Sequence, residues 1–309
     1  MSSENVPILL FHRVCPKDDL PAKYISPRLF DQVLDYLASK YSVLSLEGYF
    51  FNERNKLLKP PVVITFDNSY VDFFEYTLPL LKKYNLTATL FVSASNIDQQ
   101  QPPWNHVIDL LFLQSEKLSV AAIPFKVKFR AISSWKNKED RMKYGGYLKK
   151  HLQSLSGAQR DQVINFYFEQ LNDQNVKLPK VMDWNALRKI KQQGIEIGTH
   201  ITSFNFKNNL FDEQQLSKEL RNTTLRIREE LGNSPAAVSF VSQRNNSKIK
   251  NMIHLSGYKL GLAIGNKPYN AAKFGRYSLP RIEMFNENIF ISRWRINGTI
   301  SRLKSLFGQ

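Results

Sequence analysis

The chain has a single cysteine, Cys15, so it forms no intrachain disulfide, and this usage fits a reducing compartment. Long apolar runs are missing as well. Segments such as PVVIT and ATLFV stop far short of the roughly 18 to 20 residues that a membrane-spanning helix needs, so the chain reads as soluble. The opening MSSENVPILLFHRV has no basic leader, no apolar core of suitable length and no small-residue cleavage site, which predicts a cytoplasmic protein. Glycine and proline are sparse, at 13 and 14 in 309 residues, and 42% of residues are hydrophobic, which excludes collagen-like or low-complexity disorder. Acid is scarce relative to base. With 27 Asp and Glu against 43 Lys and Arg, the net charge of +16 attracts anions, and peripheral contact with an anionic membrane is compatible with it. The bases are spread out, and zinc-finger spacing, RNP-type aromatics and basic-region heptads are all absent, so no specific nucleic-acid partner is expected.

What is there alternates. PILLFH (7–12), YSVLS, PVVITF (61–66), ATLFV (88–92), IEIGT (195–199), AAVSFV and YKLGLAI are short and apolar enough to be buried strands. Helical patterns lie between them. SPRLFDQVLDYLASKY (26–41) offers Ser26 as a cap, Pro27 at the first helical position and a face of Phe30, Val33, Leu34 and Leu37. A second helix is expected through Phe73, Leu78 and Leu81. WNALRKIKQQG stops at Gly194, and DEQQLSKELRNTTLRIREELG runs from an Asp212 cap to Gly232. Strands alternating with helices imply a mainly parallel sheet or barrel, with functional groups where strand C-termini enter loops. Residues 100–182 break the rhythm and read as an inserted helical subdomain, too aromatic for a tether. The basic tail WRINGTISRLKSLFG suits either an anionic membrane surface or a final helix packed on the barrel, and Gly298 favours the second.

Two strand tips carry reactive side chains. In ITFDNSY, Asp67 comes directly after the apolar run, and in GTHITSF, His200 stands at the end of IEIGT. Alone, Asp67 is equally suited to capping the next helix, and His200 to a backbone-satisfied histidine; the alternative is metal binding or proton transfer.

Taken together, these segments resemble the polysaccharide deacetylase family, the NodB-homology domain. VPILLFHRV is similar to the family's opening VPILMYHRV, and ITFDNSYVDFFEYTLPLLKKYNLTATLFVS to its pattern TFDDGYxDxxxxxxPxLKKYxxxATxFV. WNALRKIKQQGIEIGTHITSF resembles the segment bearing the H[ST]xxH motif, GYKLGLA and YSLPRIEMF the closing segments, and the residues after Pro102 a family insertion. The resemblance covers about residues 5–300 and implies a distorted (β/α) barrel of the polysaccharide deacetylase type with a helical insertion at about 100–182. It also implies metal-assisted removal of acetyl groups from N-acetylated sugars. A divalent ion, commonly zinc, would polarise the carbonyl and activate water while a strand-tip Asp acts as base.

Carried over by position, Asp67 matches the base and His200 the first histidine ligand. Asn68 occupies the ligand Asp position and Phe204 the second His position, leaving a weak, incomplete metal site of His200 and Asn68. VSFVSQR stands where the family has an oxyanion-binding loop, with Ser242 as the substrate-contact candidate there. Arg281 in LPRIEMF matches an arginine close to the base; its other reading is a fork on backbone carbonyls. His12 is placed to contact substrate, and Asp72 is read as structural. The resemblance therefore implies a protein that binds an N-acetylated glycan or lipid-linked oligosaccharide with deacetylation lost or weak. The alternatives are an active glycan deacetylase with an altered metal set, and an anion-binding scaffold.

Overall fold

The computed structural model describes residues 5–16, 24–52, 57–127, 129–173, 176–201, 213–240 and 247–306. The chain divides into two compact units, one built on Met1–Gln100, Val181–Thr202 and Phe206–Gln309, the other carrying Gln101–Lys180.

The first unit is a parallel barrel. Its strands are β1 (Ile8–Phe11), β2 (Ser42–Leu44), β3 (Pro61–Asp67), β4 (Thr89–Val92), β5 (Glu196–Ile201), β6 (Ala237–Phe240), β7 (Leu260–Ile264) and β8 (Leu279–Glu283). Hydrogen bonding runs in the order β1, β8, β7, β6, β5, β4, β3, and β3 closes on β1 through pairs such as Leu9↔Ile64. On the other edge of β3, β2 pairs with Pro61–Val63 and β4 with Thr65–Asp67, so β2 lies outside the closed ring. The helices are α1 (Pro27–Lys40), α2 (Leu78–Lys83), α3 (Ala94–Gln99), then α4 to α6 of the second unit, α7 (Trp184–Gln192), α8 (Glu213–Leu231), α9 (Ser247–Leu255), α10 (Ile289–Ile296) and α11 (Thr299–Leu306).

Strand alternation separates two apolar layers. Val62, Ile64 and Phe66 of β3 pack with Phe30, Val33, Leu34 and Leu37 of α1, the face anticipated from the helical spacing. Val63 instead joins Ile8, Phe91, Ala237, Leu262 and Leu279, which fill the barrel interior. Burying one aliphatic side chain contributes about 1.5–3 kcal/mol, so both layers hold the ring closed. Ser26 caps α1, accepting a hydrogen bond from the Leu29 N–H at 3.3 Å, and Asp183 caps α7, accepting from Ala186 at 2.7 Å. Gly194 and Gly232 take φ +83° just past α7 and α8, the left-handed conformation a glycine adopts without strain.

Three boundaries differ from the sequence expectation. β5 extends to Ile201, because Thr199, His200 and Ile201 pair with Val238, Ser239 and Phe240, so His200 lies within the strand rather than at its end. LPRIE is a central strand despite Pro280; β8 meets β1 only from Ile282 onward, so the proline sits where one neighbour alone is paired. The tail forms two helices, split at Gly298 with φ +80°, and Ile296 is buried. Asp212, named above as a cap, lies outside the described residues.

The second unit holds α4 (Trp104–Gln114), α5 (Lys138–Leu152) and α6 (Gly157–Leu171). Phe112, Trp135, Tyr144 and Tyr167 form an aromatic core, with the two tyrosine hydroxyls 2.9 Å apart. Ser156 and Gln159 make a reciprocal capping box that starts α6, with four residues between the two helices.

Candidate active site

Asp67, Arg281, Ser239 and His200 come from four barrel strands and converge through the same alternation. Asp67 comes after Val63 and Thr65 along β3, Arg281 after Leu279, and Ser239 after Ala237, in each case two-residue steps beyond side chains of the interior apolar layer. His200 comes two residues after Gly198, whose missing side chain is itself informative. A Cβ there would stand 2.5 Å from the Phe91 ring. Glycine therefore admits Phe91 to the barrel centre, and the Arg281 guanidinium lies over that ring at 5.5 Å.

Arg281 grips Asp67 with both arms. Nη1 donates to Oδ1 at 2.6 Å and Nη2 to Oδ2 at 2.8 Å, in a pair that is 0% and 2% exposed. Burial by itself would push the Asp67 carboxyl up; the Arg281 charge and its hydrogen bonds outweigh this and hold it well below the usual carboxylate range. The expected alternative for Arg281, a fork on backbone carbonyls, is not what forms.

Ser239 links the acid to the imidazole. Its Oγ lies 3.1 Å from Asp67 Oδ1 and 2.7 Å from His200 Nδ1. An ionised carboxylate only accepts, so the hydroxyl donates to Asp67 and must accept from His200 Nδ1–H. This hydrogen-bond order assigns the tautomer and leaves the lone pair on Nε2. Burial pushes the His200 imidazole down, Asp67 opposes this and Arg281 adds to it, so the ring is neutral at pH 7. Ser239 was missed in the sequence; the available signal was a hydroxyl inside AVSF, a strand buried at every position.

The other candidates lie differently. His12 Nε2 is 2.9 Å from Glu283 Oε1, a carboxylate at the end of β8 that the sequence reading did not single out. Asp72 accepts from Arg13 Nε at 2.6 Å, and Arg13 stacks on Tyr70 at 5.0 Å, which agrees with a structural role for Asp72. Asn68 takes φ +73° immediately beyond β3, a conformation that asparagine tolerates better than most side chains, and its backbone N–H donates to Phe91 O at 3.0 Å. Phe204 and Ser242 lie outside the described residues.

A sequence profile described as polysaccharide deacetylase matches residues 54–261. The chain belongs to the polysaccharide deacetylase family. No curated protein sequence matches it significantly. Among solved structures, a deacetylase from Streptococcus pyogenes, PplD, in complex with acetate superposes with a TM-score of 0.61 at 18% identity, covering 96% of this chain and 99% of that one. IcaB from Ammonifex degensii gives 0.57 at 15%, covering 95% and 97%, and a de-N-acetylase from Aggregatibacter actinomycetemcomitans 0.56 at 16%, covering 92% and 97%. At these identities the likeness is one of fold, and it agrees with the closed parallel barrel.

The family's divalent ion can be tested against the donors present. His200 Nε2 is a suitable ligand atom, but both oxygens of Asp67 are engaged by Arg281, Asn68 offers a neutral amide and Phe204 offers nothing. Among the described residues, no group of three His, Cys, Asp or Glu side chains is placed to hold a metal ion. These residues do not fit a zinc ion held by three protein ligands.

Proposed function

We propose that this family member binds an N-acetylated glycan, or its lipid-linked precursor, at the strand-tip face of the barrel, with metal-dependent deacetylation lost or weak. The carrying observation is that, among the described residues, no group of three His, Cys, Asp or Glu side chains is placed to hold a metal ion. Asn68 and Phe204, at two of the family's ligand positions, point the same way. The net charge of +16 supports peripheral contact with an anionic membrane, and the buried thiol of Cys15 supports a cytoplasmic setting.

A second reading, a working deacetylase with an altered metal set, is favoured by the unbroken Asp67–Ser239–His200 chain, which presents a neutral imidazole. One assay separates them. Purified protein supplied with zinc, nickel or cobalt is expected to bind chito-oligosaccharides in a titration and to release no acetate above the buffer blank. Acetate release that Asp67→Ala abolishes would establish the second reading. The double variant Asn68→Asp/Phe204→His is expected to raise zinc affinity at least about tenfold, since even changes beyond the ligand shell typically cost 10- to 100-fold.

A further inference from the structure

Around the strand N-termini, the barrel unit carries a cavity of about 620 Å³ that no part of the glycan reading uses. Its walls include Lys40 at the end of α1, Lys267 and Lys273 from the segment between β7 and β8, and Arg302 on α11, with the rings of Tyr36 and Tyr41 beside them. Among the described residues, no aspartate or glutamate lines it.

Elsewhere in this unit some basic side chains pair with acids, while others, such as Lys59 on Ala38 O and Lys191 on Leu231 O, meet backbone carbonyls. Lys83 pairs with Asp31, Arg188 with Glu230, Arg226 with Asp98, Lys248 with Glu213 and Arg295 with Glu287. Lys40, Lys267 and Lys273 pair with none among the described residues, although Lys267 lies over the Phe274 ring at 5.1 Å. Several unneutralised cations around one concavity with aromatic walls raise the local potential and concentrate anions there. The wall is a built one. Gly298, at φ +80°, ends α10 so closely against Pro268 that a Cβ would stand 3.3 Å from its ring. On the same side, Arg293 stacks on Tyr36 at 5.0 Å and reaches Phe290, which is exposed, as is Trp294.

We infer that this cavity is a second ligand site, for a phosphate-bearing anion. A phosphate presents several acceptor oxygens and up to two negative charges, which suits flexible lysines acting as point charges around it. The inference stands independently of the glycan reading, since it involves none of the residues at the strand tips.

The test uses the full chain and two probes: inorganic pyrophosphate followed by calorimetry, and vesicles rich in phosphatidylglycerol followed by cosedimentation against phosphatidylcholine vesicles. The protein is expected to bind at least one probe, and Lys267→Glu/Lys273→Glu to weaken that binding at least about tenfold. Lys136→Glu/Lys138→Glu makes the same change in net charge on exposed residues of the other unit and is expected to leave affinity within about twofold. Pyrophosphate binding assigns the site to a free phosphate compound, and binding to the anionic vesicles alone assigns it to a lipid headgroup. Binding of neither probe, or equal weakening by both double variants, overturns the inference. Should the glutamate pair fail to fold, Lys267→Ala/Lys273→Ala is read by the same criterion.

Discussion

Among the described residues, two arginines are sealed from solvent, one in each unit, and they find different partners. Arg281 in the barrel meets a full opposite charge, the Asp67 carboxylate, in a two-armed ion pair. Arg141 on α5, 1% exposed, instead donates to backbone carbonyls, Nε to Phe112 at 2.9 Å and Nη1 to Lys117 at 2.7 Å. Arg141 directs its donors to main-chain groups that would otherwise be left without them, which is a structural task. Arg281 fixes the ionisation and orientation of an acid, and through Ser239 the tautomer of His200. What separates the two buried arginines is the partner, a titrating carboxylate in one case and backbone carbonyls in the other.

The comparison breaks most sharply at Asp67. Asp67→Asn leaves the Arg281 charge buried without its counter-ion and is expected to lower stability by about 3–5 kcal/mol in denaturant unfolding. Adding Arg281→Met should recover much of that loss, because removing both charges also removes the desolvation cost. Arg141→Met is expected to cost less, about 1–3 kcal/mol, by leaving carbonyls without a donor, and no second substitution of an acid should rescue it. If Arg141→Met proved the more damaging, the distinction between the two arginines would fail.

Smaller effects probe what holds the ion pair in place. Gly198→Ala must displace the Phe91 ring and is expected to cost about 1–3 kcal/mol, with partial relief on adding Phe91→Leu. The pH dependence has two steps. His200 titrates lower folded than unfolded, so its contribution is complete above about pH 6.5 and declines as pH falls through the folded value. Asp67 is also lowered, so its contribution is complete above the ordinary carboxylate range near pH 4 and is lost only in stronger acid. His200→Gln should abolish the upper step in a stability-versus-pH series and keep the lower one.

Much of the fold was legible because its signals are local. Short apolar runs bounded by turn residues marked most of the barrel strands, and Ser26, Gly194 and Gly232 mark helix ends through chemistry confined to a few neighbours. LPRIE was not read as a strand, because a proline argues against a central position unless one edge is unpaired there, and edge pairing is not local. A single helix was expected through Phe73, Leu78 and Leu81; the segment opens with a π-helical turn over Phe73–Thr77, where Pro79 removes a donor from the first turn of α2. For the site, Asp67 and His200 were visible as reactive residues at strand tips. Ser239 was hidden inside an apolar strand, and Glu283 behind the arginine two positions earlier.

By itself the sequence determined most of the strands and helices and which strand tip bears an acid. Those properties derive from residue type and short-range periodicity. Only the tertiary structure decided that Asp67 meets Arg281, 214 positions away, and Ser239, 172 positions away. Closure of β3 onto β1 bends the sheet into a ring, and the inward alternation of its strands then brings side chains with no sequence relationship into one buried layer.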